Sequence, residues 1–252
     1  MLLEQGKLGL DDPVSKYLPG FDKLQVLTRF NEADGTYESK PATKVMTLRH
    51  LLSHTSGIGY GFSSPVLARL QQGNTKNEWE FPLLHEPGEQ WTYGASTRVL
   101  GMIVEKLTGS TLEAWYQAHL FKPLGMVDTG FWMPEEKAAR VVAIHSYENG
   151  VIKGPAENRV TTTKPSFLAG SGGLMSTAED YWRFAQAVGN GGELNGRRIL
   201  KDDTVKLMRT NVLPPNAKVD LYGPSQEGIG FGMDFAIVMD PQKAGTPQGL
   251  NT

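Results

Sequence analysis

The sequence contains no cysteine, which excludes disulfide bridges, thiolate metal ligands and a cysteine nucleophile. It also has no apolar run near the roughly 18 residues that would predict a membrane-spanning helix. The N-terminus lacks a basic segment followed by an apolar one, so no signal peptide is visible. These features leave the compartment, cytoplasmic or periplasmic, undecided, and they require any chemistry to come from other side chains.

Neither sign of charge is in excess, because 25 lysines and arginines against 27 aspartates and glutamates give a formal net charge of -2. No block of like charge could follow a phosphate backbone or an anionic membrane surface. Nucleic acid is therefore not an expected partner. With 252 residues the chain suits one large domain or two interleaved lobes, and its oligomeric state stays open.

Helical periodicity and capping residues predict several helices. Apolar residues recur at spacings of three and four after Thr47 and again after Ser96, where Gly109 ends the pattern. The remaining helices are predicted from about Pro65 to Gln72, after the capping-box pairs Ser110/Glu113 and Ser176/Glu179, and from Asp202 to Arg209.

Turn signals and alternation predict the strands. Asp34-Gly35 indicates a short hairpin, and Asn149-Gly150, which follows the β-prone residues 141–144, indicates another. From Phe231 to Asp240 apolar residues occupy every second position, which predicts one strand with an apolar face. Such a strand needs partners in a sheet.

Both ends of the sequence are typical of the interior of a larger fold. Residues 2–8 read as the last turn of a helix with Gly6 as its left-handed cap, and the turns that should precede it are absent. Residues 241–252 are rich in proline and glycine and follow the predicted strand without the strands that should pair with it. We therefore expect a single domain that is truncated at both ends.

The five histidines do not form an HExxH pattern or a cluster with metal-ligand spacing. His50 and His54 lie four residues apart on one predicted helix face, but without a third ligand a core-edge residue and a helix-end partner are favoured over zinc ligands. The loop at residues 169–173 lacks the lysine and the strand-helix context of nucleotide-binding loops. No metal or cofactor is expected.

A serine nucleophile is not recognisable within the sequence. No serine occupies a G-x-S-x-G turn, and none of the thirteen serines has a lysine three residues later. No Lys-Thr-Gly occurs either, and Lys243-Ala244-Gly245 is read as part of a loop.

Tyr93 raises a different question, because it lies just before the helix that is predicted to begin at Ser96. An aromatic residue with one polar end is commonly a packing residue at such a place. A phenol with a pKa of about 10 is a poor base, yet nearby ammonium groups or the positive end of a helix can make it a proton relay. The residues themselves leave both interpretations open.

Five segments, taken together and in this order, carry a family pattern. They are residues 2–19, 47–58, 87–93, 123–129 and 172–177. In this combination the sequence resembles the serine β-lactamase-like superfamily, which includes class C β-lactamases, family VIII carboxylesterases and penicillin-binding-protein-like enzymes. The resemblance covers nearly the whole chain.

The resemblance implies roles for three residues. Tyr93 matches the tyrosine of the family's Tyr-x-Asn motif, whose hydroxyl relays protons between the nucleophile and the leaving group, and it is the expected catalytic residue. Ala95 stands where β-lactamases of the family have an asparagine that binds the substrate's amide. By positional matching Tyr60 is an expected acyl-pocket residue, although packing is an equally good interpretation.

The resemblance also implies what the chain lacks. The family's serine and lysine lie on a helix just upstream of the segment that matches residues 2–8, so they would precede Met1. The third motif, Lys-Thr-Gly or its His-Gly-Gly and Trp-Gly-Gly variants in esterase relatives, would follow the C-terminal segment. We therefore expect the chain alone to be inactive.

The implied fold is α+β and β-lactamase/transpeptidase-like. Residues 22–164 would form a mostly helical lobe, and residues 1–21 and 165–252 would be parts of a lobe with an incomplete antiparallel sheet. The implied reaction is acyl transfer by a serine hydrolase, and ester hydrolysis is the first choice because Ala95 cannot pair with a substrate amide. The alternatives are a β-lactamase or DD-peptidase acting on a β-lactam or peptide, or a non-catalytic remnant that binds acyl groups or peptidoglycan.

Overall fold

The computed structural model describes residues 1–154, 161–220 and 226–246. The chain divides into two compact units, of which unit 1 comprises Met1–Gly109 and Leu200–Thr252 and unit 2 comprises Ser110–Ile199. Both units mix helices with antiparallel strand pairs, so the predicted α+β class is confirmed. The last residues of the predicted C-terminal loop, 247–252, lie outside the described residues.

The regular elements are short. The helices are α1 (Leu48–Leu52), α2 (Pro65–Gln71), α3 (Ser96–Thr108), α4 (Leu112–Tyr116), α5 (Lys122–Leu124), α6 (Ala178–Gly189) and α7 (Asp202–Met208). The strands are β1 (Gln25–Phe30), β2 (Tyr37–Pro41), β3 (Ser146–Glu148), β4 (Val151–Lys153), β5 (Glu193–Leu194), β6 (Arg197–Arg198), β7 (Ile229–Phe231) and β8 (Ala236–Val238). Segments of 3-10 helix occur at Val14–Lys16, Glu78–Glu80 and Glu135–Arg140, and Gln117–Phe121 forms a π turn between α4 and α5.

Unit 1 is built around helices α1 and α3. Thr47 caps α1, because its hydroxyl accepts a hydrogen bond from the backbone N–H of His50, and the Nδ1 of His50 accepts one from the backbone N–H of Thr47. This reciprocal arrangement confirms the predicted helix start. Gly109 ends α3 with a φ of 65°, as predicted. The core of the unit consists of Val14, Tyr17, Phe21, Val26, Met46, Leu48, Leu51, Ile58, Leu83, Ala95, Val99 and Ile103.

The predicted single strand from Phe231 to Asp240 is wrong, because the chain turns back within it. The backbone N–H of Gly232 donates to the carbonyl of Phe235, and strands β7 and β8 pair as an antiparallel hairpin. Asp234 adopts a φ of 66° in the turn. A side chain at Gly232 would come within 2.1 Å of the Met208 carbonyl oxygen, so glycine is required there. Alternation alone does not distinguish one long strand from two short ones.

In unit 2 the predicted helices form, but each capping residue is the next one along the chain. Thr111 caps α4 by accepting from the N–H of Ala114, and Thr177 caps α6 by accepting from the N–H of Asp180. Neighbouring serine and threonine hydroxyls can both cap a helix, so the prediction of Ser110 and Ser176 was wrong by one residue. The hydroxyl of Ser176 instead bonds that of Thr129 at 2.8 Å.

The hairpin at Asn149-Gly150 is confirmed, since both residues have positive φ and join β3 to β4. The second predicted hairpin, at Asp34-Gly35, is confirmed by the pairing of β1 with β2 in unit 1. The β-prone residues 141–144 lie before β3 and are not part of a strand. Within the described part of the chain, every helix is too short or too polar to cross a bilayer.

One buried carboxylate, Asp180, and two partly buried ones, Glu113 and Asp128, organise the loops of unit 2. Asp180 accepts hydrogen bonds from the backbone N–H of Asp128 at 2.7 Å and from the hydroxyl of Thr129 at 2.8 Å. Glu113 accepts from the backbone N–H of Phe131 at 3.0 Å. The guanidinium of Arg140 and the ammonium of Lys137 hold the pKa of Asp128 far below its usual range. Two of the family-like segments, 123–129 and 172–177, are joined by the hydroxyl pair of Thr129 and Ser176 and, next to it, by the backbone bridge between Gly130 and Met175.

Candidate active site

Tyr93 lies in the loop that leads into α3, and backbone contacts hold that loop on both sides. The N–H of Thr92 donates to the carbonyl oxygen of His54 at 2.8 Å, and the carbonyl of Tyr93 accepts from the hydroxyl of Ser63 at 3.1 Å. A Cβ on Gly94 would lie only 1.9 Å from the carbonyl oxygen of Ile58. Such an approach is possible only for glycine. The close contact with Ile58 therefore fixes the backbone next to Tyr93.

The start of α3 is tied to the same loop segment that holds Tyr93. Ser56 and Ser96 have no exposed surface, and their hydroxyl oxygens are 2.8 Å apart. The Ser56 hydroxyl also accepts from the backbone N–H of Ile58 at 3.1 Å. Buried hydroxyls that bond each other fix their two segments at low cost. The segment 54–58 therefore forms a rigid support for Tyr93.

His85 fixes the loop from its other side. Its Nδ1 lies 2.9 Å from the carbonyl oxygen of Glu86 and its Nε2 lies 2.9 Å from the hydroxyl of Thr92. Burial lowers the pKa of His85, although the Glu86 carbonyl acts in the opposite direction. The neutral ring then donates from Nδ1 to the carbonyl and accepts the Thr92 hydroxyl proton at Nε2. His85 is thus a support of the Tyr93 loop.

Aromatic rings surround Tyr93. The ring centroid of Tyr60 is 5.8 Å from that of Tyr93, the centroid of Trp91 is 6.3 Å away, and the centroid of Phe62 is 6.3 Å away. Tyr60 and Phe62 stack on each other at 4.8 Å. Phe62 is 65% exposed, which is unusual for so large an apolar ring. The arrangement offers a phenol hydroxyl beside an apolar surface.

His54 lies against the Tyr93 ring, with 5.1 Å between the centroids. It is 1% exposed and has a φ of 53°. Its Nε2 is 3.3 Å from a carboxylate oxygen of Asp234 in the β7–β8 turn. The Nδ1 of His54 and the Nε1 of Trp91 are buried and have no hydrogen-bond partner among the described residues.

The structure brings two of the three sequence-predicted site residues together, because Tyr60 and Tyr93 are neighbours. The third, Ala95, has no exposed surface and belongs to the core of unit 1. Sequence reasoning missed the contact of Tyr93 with His54 and the contact of His54 with Asp234. The signal that could have found His54 is its place within the family-like segment 47–58, whereas Asp234 had no local signal.

Two further observations bear on the site. In the described residues, no group of three or more histidine, aspartate or glutamate side chains is arranged to hold a metal ion. A cavity of about 580 Å³ in unit 1 is lined by Tyr37, Trp79, Phe81 and residues around them, and Tyr93 is not among its lining residues. The cavity and the candidate site are separate features of the unit.

The chain is similar to longer curated proteins. It is 34% identical to Protein Rv1367c of Mycobacterium tuberculosis over 268 residues, covering 100% of this chain and 66% of that protein. It is 32% identical to lovastatin esterase of Penicillium rubens over 257 residues, covering 95% of this chain and 62% of the esterase. The chain thus spans less than two thirds of the length of either relative.

A solved structure and a family model agree with these relatives. EstCE1, described as a hydrolase with promiscuous acyltransferase activity, superposes with a TM-score of 0.74 at 26% identity, covering 98% of this chain and 67% of that one. The model of the family described as Beta-lactamase matches residues 1–245. On this match over almost its whole length, the chain belongs to the beta-lactamase family.

Proposed function

We propose that this chain is part of a serine hydrolase that cleaves carboxylic esters, with Tyr93 as the residue that relays protons. The observation that carries the proposal is the fixed position of Tyr93, which Gly94 and the Thr92–His54 hydrogen bond define, beside the exposed ring of Phe62. A phenol held next to an apolar surface suits an ester that has an apolar acyl group. The similarity to lovastatin esterase supports the same reaction class.

In the proposed reaction a serine oxygen attacks the ester carbonyl and loses its proton. Tyr93 takes part in passing that proton to the alcohol oxygen as the C–O bond breaks, which leaves an acyl-serine. Water then attacks the acyl group, gives its proton back along the same path and releases the acid. The serine and its lysine are not found as a Ser-x-x-Lys pair in the 252 residues, so the reaction requires them from outside this sequence.

Ester rather than amide substrates are proposed because of Ala95. A methyl group cannot bind a substrate amide, and this one has no exposed surface. A substrate amide would receive no side-chain hydrogen bond from this position, and an amide left unpaired in a closed site costs about 1–3 kcal/mol for each polar group. The β-lactam and DD-peptide alternatives are disfavoured for the same reason.

One other function has a specific observation in its favour. The absence of Ser-x-x-Lys among the 252 residues favours a non-catalytic remnant that binds acyl groups or peptidoglycan. The gene distinguishes the two proposals. An in-frame Ser-x-x-Lys upstream of Met1 supports the esterase, and a stop codon directly before Met1 supports the remnant.

The activity test uses the longest protein that is encoded in frame with this chain. It should be labelled by a fluorophosphonate probe and should hydrolyse p-nitrophenyl butyrate faster than nitrocefin. Tyr93→Phe should lower kcat by about 10²- to 10⁴-fold, as expected for loss of general acid–base catalysis. Tyr181→Phe is the matched control, because Tyr181 is 65% exposed on α6. Equal activity of the two variants would contradict the role of Tyr93.

A further inference from the structure

Two residues with unusual backbone conformations face each other beside Tyr93. Among the described residues, four that are not glycine have positive φ: His54, Asn149, Asn195 and Asp234. The two asparagines precede glycines in tight hairpin turns, where such angles are ordinary. Asp234 also lies in a hairpin turn, between β7 and β8, whereas His54 lies in none, and the side chains of these two residues approach to 3.3 Å. Backbone strain of the kind seen at His54 concentrates at functional sites.

Main-chain hydrogen bonds connect these two residues to the Tyr93 loop. The backbone N–H of Asp234 donates to the carbonyl oxygen of Leu52 at 2.7 Å, two residues before His54. The carbonyl oxygen of His54 in turn accepts from the N–H of Thr92, next to Tyr93. These two bonds connect the turn at Asp234 to the loop that carries the phenol by way of residues 52–54.

The His54 ring has little freedom to move. Besides Tyr93, it meets Trp91 at a centroid distance of 6.0 Å and Phe231 edge-on at 5.7 Å. Apolar and aromatic neighbours fix where the ring lies, but they do not fix which of its edges points in which direction. The Asp234 carboxylate, 46% exposed, is the polar group that lies toward Nε2, at 3.3 Å, on the side of the turn.

We infer that His54 and Asp234 form a positioning pair for Tyr93, in which the carboxylate orients the imidazole and the imidazole supports one face of the phenol ring. The pair acts through Tyr93, so this inference rests on the proposed function for its effect on catalysis. The placement of the phenol itself does not depend on that function and can be measured on the chain alone.

The first test is NMR of the 252-residue chain with ¹³C-labelled tyrosine rings, in which the Tyr93 signal is assigned by its loss in Tyr93→Phe. Asp234→Gly removes the carboxylate and suits the positive φ of this position. It should shift the Tyr93 signal. Asp234→Asn keeps the shape of the side chain, so its Tyr93 signal should lie between that of Asp234→Gly and that of the unchanged chain. The control Asp22→Asn, at an exposed position of the same unit, should leave it unchanged.

The second test measures ester hydrolysis by the in-frame protein. Asp234→Gly should lower kcat between about 10- and 100-fold, as expected for a displaced reacting group, and should change KM less than twofold. In a Tyr93→Phe background the same change should cause no further loss. An unshifted Tyr93 signal in Asp234→Gly overturns the inference. A shifted signal together with full activity of Tyr93→Phe overturns the proposed function and leaves the positioning pair in place.

Discussion

Unit 1 and unit 2 use their buried polar groups differently. In unit 2 the carboxylates of Glu113, Asp128 and Asp180 each accept hydrogen bonds from loop residues. In unit 1 the buried carboxylate of Glu86 accepts from the backbone N–H groups of Thr43 and Lys44, but near Tyr93 the buried Nδ1 of His54 and Nε1 of Trp91 have no hydrogen-bond partner among the described residues. Because buried polar groups are normally paired, these two nitrogens set the surroundings of Tyr93 apart from the carboxylate-bonded loops of unit 2.

The largest effect should come from Gly94, where unit 1 depends on a close backbone contact. Gly94→Ala should lower the free energy of unfolding by more than about 3 kcal/mol, because the new Cβ would lie 1.9 Å from the Ile58 carbonyl oxygen. Gly172→Ala in a loop of unit 2 is the control, since no atom lies within 4 Å of its Cβ position. Urea denaturation of both variants checks the prediction, and similar stabilities would show that the Tyr93 loop is not rigid.

The next largest effect is expected from a substitution that tests whether the carboxylates of unit 2 are structural. Asp180→Ala should lower the free energy of unfolding by about 3 kcal/mol, because the N–H of Asp128 loses its buried acceptor and the Thr129 hydroxyl loses one of its partners. Its neighbour Glu179 is 73% exposed and pairs with Arg183, so Glu179→Ala should cost less than about 0.5 kcal/mol. Thermal unfolding measures both. A small loss in Asp180→Ala would remove the contrast between the units.

The smallest expected effect is the change of the free energy of unfolding with pH that a buried histidine of unit 1 causes. Burial lowers the pKa of His85 below its ordinary value of 6.5. The unfolded chain then binds a proton more readily than the folded one, so stability is present above pH 6.5 and is lost as the pH falls toward the folded pKa. The slope is at most about 1.4 kcal/mol per pH unit for one proton. Burial also lowers the pKa of His50, which contributes in the same direction.

Unfolding at several pH values between 5 and 7.5, measured by urea denaturation, isolates the contribution of His85. The slope should become shallower in His85→Gln. It should stay as in the unchanged chain in His145→Gln, because His145 is exposed in unit 2. A slope that is equal in both variants would mean that His85 titrates alike in the folded and unfolded chain.

The parts of the fold that were predicted from sequence depend on local signals. Thr47 and Gly109 mark helix ends, and Asn149-Gly150 marks a turn, because each residue acts on backbone within four positions of itself. The turn at Asp234 was missed because both strands of the hairpin share the same alternation. Within that turn the N–H of Asp234 donates to the carbonyl of Leu52, far away along the chain.

In the candidate site, too, the residues that carry a local pattern were predicted and the contact between distant residues was not. Tyr93 and Tyr60 follow from the family pattern, and the structure places them side by side. The contact between His54 and Asp234 joins residues 180 positions apart, which no spacing rule can predict. His54 was interpreted as a core-edge residue or helix-end partner. It is indeed buried after α1, but its ring lies against the phenol that the site depends on.

The burial of Ala95 limits which side chains this position can accept. It is the N-cap of α3, yet it provides no side-chain acceptor to the helix. An asparagine there would be a better cap by about 1 kcal/mol, but it would have to fit into a place with no exposed surface, where overpacking costs about 1–3 kcal/mol. The gain from capping is therefore no larger than the cost of fitting the longer side chain, so alanine suits this buried position at least as well as asparagine.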